Sequence, residues 1–158
     1  MTSTGTNLLG IVKNVARVEA GYLSDIFGRP FPETFAGLDD DDEPNADVWA
    51  TPQQSRGYIL DLYARVAEHS AATVAALGLA AEGVVPWWPD DEKQVRVHRI
   101  LVHMIAETNR HAGHADIVRE LIDGAAGLRA DNDNLPEVEA QWWVEYTQRL
   151  EQAARDAR

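Results

Sequence analysis

Apolar residues return every three or four positions in four stretches of this chain, and Gly or Pro punctuates each stretch. The first runs from about Thr6 to Phe27. Leu8, Val12, Val15, Tyr22 and Ile26 recur at helical spacing with Leu9, Ala16 and Leu23 alongside, and Gly28-Arg29-Pro30 ends it. The second opens at Thr51-Pro52-Gln53-Gln54, with Thr51 as N-cap, Pro52 at the first helical position and Gln54 completing a capping box. It runs to about Leu77, before Gly78, with Tyr58, Leu62, Val66, Thr73 and Leu77 on its buried stripe. The third spans about Gln94 to Asp123 and stops at Gly124. The fourth follows Leu135-Pro136 and carries Trp142, Trp143, Tyr146 and Leu150. No alternating strand pattern is present. Four such helices predict an all-α, up-down four-helix bundle. A chain of 158 residues favours a single domain over 1–158.

The connections carry their own signals. Residues 31–50 form a polar, acidic loop holding Asp39-Asp40-Asp41-Asp42-Glu43, which reads as a solvated loop. It lacks the Asp/Asn/Gly spacing of a calcium loop. Val84-Val85-Pro86-Trp87-Trp88-Pro89 cannot be a regular helix; its Trp pair either lines a pocket or packs as a lid over the bundle end. His69, on the stripe of the second helix, reads as a packed or hydrogen-bonded residue, since one imidazole does not hold a metal alone.

Charge and residue usage exclude several functions. A net charge of -12 repels nucleic-acid phosphates and anionic lipid. No apolar run approaches the roughly 20 residues needed to span a bilayer. The first residues lack the basic-then-apolar order of a signal peptide, so a cytoplasmic protein is expected. With no cysteine, the chain holds no disulfide, no thiolate zinc site and no Cys nucleophile.

The chemistry concentrates in "HMIAETNRHAGHAD", residues 103–116. On a helix at about 100° per residue, with His103 at zero, Glu107 falls near 40°, His111 near 80° and His114 near 20°. Three imidazoles and a carboxylate on one side suit a borderline divalent ion such as Zn²⁺, Ni²⁺, Fe²⁺ or Mn²⁺. Glu107 and His111, one turn apart, can reach one ion. The same stripe would equally serve as a polar network inside the bundle.

The stretch "VHRILVHMIAETNRHAGHADIVRELIDG", residues 97–124, resembles the DinB-like superfamily. It is most similar to a branch of uncharacterised proteins related to the mycothiol-dependent maleylpyruvate isomerases. The segment "NLLGIVKNVARVEAGYLSDIFGRPFP" and Pro86-Trp87-Trp88 resemble the same branch. The resemblance implies an up-down bundle with one unusual crossover. It also implies a metal held by a His on an early helix and by a His-x-x-x-His or Glu-x-x-x-His pair on a later one. Glu107 and His111 take the later pair, and His114, a turn on, replaces or supplements a ligand. His103 would stand behind them.

The family's early His falls at Asn14, a weaker neutral oxygen donor. The resemblance further implies a helix before "NLLGIVK", which this sequence is expected to lack. The resulting groove would be covered by a partner subunit, so a homodimer is expected. The implied function is that of a metal-dependent enzyme acting on a small molecule, a thiol-linked transferase or isomerase or a hydrolase. Its cofactors would be a divalent metal, Zn above the others, and a low-molecular-weight thiol supplied from outside. Arg110 and Arg119 would bind a carboxylate of substrate or cofactor, or pair with acids at neighbouring turns. The alternatives are a non-catalytic metal- or ligand-binding helical dimer with a degenerate site at Asn14, and a structural or stress-response dimer.

Overall fold

The computed structural model describes residues 2–35, 45–127, 129 and 132–157. The acidic run at 39–43 lies outside them. Among the described residues there are four α-helices and one short hairpin, an all-α architecture. They form two compact units, residues 1–125 and 126–158.

In the first unit α1 (Leu8–Leu23) starts at Asn7, whose side chain accepts from the Gly10 N–H at 2.7 Å. A 3-10 turn, Asp25–Phe27, follows it, so the expected helix is regular over 16 residues and tightens at its end. A second 3-10 turn, Ala46–Val48, lies against α1. Gly10 permits that approach, because a Cβ there would overlap the Val48 carbonyl. The next helix, α2 (Arg56–Leu77), begins later than its sequence signals indicate. Thr51 to Gln54 make a turn instead, with the Gln54 N–H on the Thr51 carbonyl at 2.9 Å. Gln54 Oε1 accepts from Thr51 N and, at 3.0 Å, from Lys13 Nζ, so a tertiary contact takes part of the capping box. Ser55 caps the helix, accepting from Tyr58 N at 3.1 Å.

A hairpin, β1 (Glu82–Val84) with β2 (Gln94–Arg96), departs from the strandless expectation. It is antiparallel, pairing Glu82 with Arg96 and Val84 with Gln94. Three residues per strand are too few for alternation to register in the sequence. Residues 94–96 are therefore extended, and α3 (Val97–Asp123) starts three residues later than expected. Gly124, at φ 73°, closes α3 in the left-handed conformation. One apolar cluster joins Leu23, Val85, Val95, Ile100 and Met104; another joins Ala16, Ala20, Leu62 and Val66. Together they fix α1 against α2 and α3.

The second unit contains α4 (Ala140–Asp156), none of whose residues is buried. Its Trp142 stacks on Tyr146 with ring centres 4.8 Å apart. Among the described residues no helix is long and apolar enough to cross a membrane.

Candidate functional site

The 3-10 turn Ala46–Val48 is held to α1 by Lys13, a side chain that is fully buried. Its ammonium donates to the carbonyls of Ala46 at 2.8 Å and Trp49 at 2.9 Å, and to Gln54 Oε1 at 3.0 Å. All three N–H bonds are used, which is what a buried ammonium requires. Burial pushes its pKa below the ordinary lysine value, against the opposing pull of Asp47. Asn7 adds a bond from its amide to the Val48 carbonyl at 3.1 Å. The turn thereby delivers Asp47 to α1. There the Asn14 amide donates to Asp47 Oδ2 at 2.7 Å, and Arg17 stands 3.6 Å from the same oxygen.

Asn14 and Ile11 of α1, Asn45 and Val48 of the turn, and His111 and His114 of α3 line one cavity of about 350 Å³. His111 is the most constrained of these. Its Nδ1 is buried with no hydrogen-bond partner among the described residues, and its Nε2 lies 3.9 Å from Glu107 Oε2. Burial lowers its pKa below the ordinary histidine value, more than Glu107 raises it, so the ring is neutral at neutral pH. The His111 and His114 rings meet edge to face, 5.8 Å apart.

The residues predicted from the sequence are distributed as follows. His111, His114 and Asn14 share the cavity; Glu107 is tied to it through His111. His103 does not join them. It packs between Tyr22, at 4.7 Å, and Trp88, at 5.2 Å. Arg110 is exposed and makes no ion pair among the described residues, while Arg119 pairs with Asp123 at 3.9 Å. His69 Nε2 lies 2.9 Å from the Arg29 carbonyl, the packed role expected of it. Both indoles of the Trp87-Trp88 pair donate to one acceptor, the Tyr22 hydroxyl, at 3.0 and 2.8 Å. Two participants escaped sequence reading, Asp47 and Lys13. Their contacts span 33 residues or more, and nothing local marks either one.

Among the described residues no three His, Cys, Asp or Glu side chains stand close enough together to hold one ion. Beside the neutral oxygens of Thr4, Thr6, Asn7 and Asn45, the residues predicted from the sequence that share the cavity are the two imidazoles and the Asn14 amide. They suit a borderline divalent ion, though more weakly than three charged or imidazole ligands would. The orphaned His111 Nδ1 is the kind of atom an ion or a thiol would satisfy.

A family model described as mycothiol-S-transferase matches residues 1–124. No curated protein and no solved structure matches the chain.

Proposed function

The chain belongs to the mycothiol-S-transferase family, a DinB-like family, and from that premise we propose a transferase that joins a small-molecule thiol to a second small molecule. The observation that carries this reading is the cavity that His111, His114 and Asn14 line together, with His111 Nδ1 lacking a partner among the described residues. The chain has no cysteine, so the sulfur comes from the cosubstrate. A neutral His111 accepts the thiol proton, the sulfur forms its bond to the electrophilic atom of the acceptor, and the proton passes to the leaving group or product. Glu107, beside His111, favours the imidazolium that results. Arg110, exposed, one turn from His114 and without an ion pair among the described residues, would bind a carboxylate of the acceptor. With a divalent ion bound, zinc before nickel, iron or manganese, His111, His114 and the Asn14 oxygen would be its ligands, Glu107 would brace His111, and the ion would take over from His111 the activation of the thiol. It would make the thiol more acidic.

Asn14 favours a second reading, a non-catalytic metal- or ligand-binding protein with a degenerate site, because a neutral amide stands where the family carries an imidazole. One experiment separates the two. Protein purified without a His tag is analysed for metal, then assayed for conjugation of mycothiol to a generic thiol-reactive electrophile. The transferase reading expects turnover that is lost in His111→Ala. Bound mycothiol or metal with no turnover establishes the second reading in its place.

A further inference from the structure

A second cavity, of about 500 Å³, lies further along α1, bounded by Arg17, Tyr22, Asp25, Phe35 and Trp87. We propose that it holds the polyhydroxylated body of the thiol cosubstrate, a proposal that rests on the mycothiol-dependent reading above. Mycothiol is chemically a short thiol arm, an acylated cysteine, on an amide-linked pair of hydroxylated rings. Those rings offer apolar C–H faces and a rim of hydroxyls.

The cavity presents the matching surface. Trp87 is 58% exposed, although it is anchored. Its indole N–H is spent on the Tyr22 hydroxyl at 3.0 Å, and the two rings meet edge to face at 5.3 Å. What remains for a ligand is a rigid aromatic face, held with little conformational entropy left to lose. Two polar groups flank it, the exposed Asp25 carboxylate and the Arg17 guanidinium, an acceptor and a donor suited to hydroxyls. Arg17 also contacts Asp47 and Asp25 also accepts from Phe31 N, so each holds spare hydrogen-bonding capacity that a purely apolar ligand would leave unused, and an anionic one would meet Asp25 and a net charge of -12.

The two cavities lie along α1 and are linked by side-chain contacts. Arg17 lines the second one and contacts Asp47, which in turn holds Asn14 of the first. Arg17 is three residues from Asn14, about 4.5 Å of helix rise. Tyr22, on which Trp87 is anchored, is eight residues from Asn14, about 12 Å of helix rise, a span for the ring pair and its cysteine arm together, with the sulfur toward His111.

The test uses the full chain and the ring pair alone, glucosaminyl-inositol without the cysteine, titrated calorimetrically beside mycothiol and N-acetylcysteine. The wild type should bind the ring pair and prefer mycothiol over N-acetylcysteine by about tenfold or more. Trp87→Ala should abolish that preference with binding of N-acetylcysteine unchanged, and Trp87→Phe should restore most of it. Should Trp87→Ala fail to fold by circular dichroism, Asp25→Ala carries the same expectation. Mycothiol bound equally by wild type and these variants overturns the subsite and leaves the transferase reading standing. No binding of mycothiol by the wild type overturns both.

Discussion

At the scale of single residues, the 2.7 Å bond from the Asn14 amide to Asp47 Oδ2 decides how position 14 is presented to the cavity. Glu107, His111 and His114 were legible because helical spacing converts position into direction. Asn14 was legible by resemblance. Asp47 was not, since an isolated acid in an acidic loop carries no pattern, yet its 2.7 Å bond fixes the Asn14 amide. That bond yields a prediction. In Asn14→His, Asp47 would accept from the new imidazole as it now accepts from the amide, and the other ring nitrogen would be free to ligate. Zinc affinity should rise by about 10–100-fold, read by competition with a chromogenic chelator; unchanged affinity would show that position 14 does not reach the ion. Glu19, half-buried on α1, supplies a pH effect. Burial raises its pKa above the ordinary glutamate value. Its folded form therefore holds a proton more tightly than the unfolded chain, and stability is lost as pH rises from about 4.5 through the raised value. Glu19→Gln should thus be more stable than wild type at pH 7, by at most ~0.5 kcal/mol after solvent screening. The difference should vanish below about pH 4 in urea denaturation.

At the scale of elements, helix existence was readable and helix starts were not. Periodicity located all four helices, but the start of α2 shifted from Thr51 to Arg56 because Lys13 and Thr51 share Gln54 Oε1. The hairpin escaped notice because three-residue strands sit below the length at which alternation is visible. Lys13 carries no local signal in the sequence, although it is the clasp between α1 and the Ala46–Val48 turn. Lys13→Met should leave the Ala46 and Trp49 carbonyls without their donor and cost about 2–4 kcal/mol. The expected signature is faster amide exchange at residues 45–54 beyond any global loss. Slowed or unaltered exchange there would mean the turn is held by other contacts. Because that turn carries Asp47, Lys13→Met should also weaken metal binding.

At the scale of the whole molecule, the family match over 1–124 and the first compact unit, 1–125, nearly coincide. Both cavities are built inside that unit. Composition had set the broad class, an acidic all-α protein without thiols, but it could not say which apolar faces stay exposed. Toward the C-terminal end of α3, Ile117, Leu121 and Ile122 are 60–74% exposed, an apolar surface. We expect a homodimer that covers part of this surface, and sedimentation velocity at micromolar concentration should give about twice the mass of one chain. A single-chain mass would end that expectation.

The Tyr22 hydroxyl, which receives both indole N–H groups, has an optical consequence. Two neighbouring chromophores depend on one oxygen, so a guest that displaces the phenol perturbs both at once. Near-ultraviolet dichroism of the unlabelled protein then becomes a direct gauge of occupancy, with no dye attached and no turnover required.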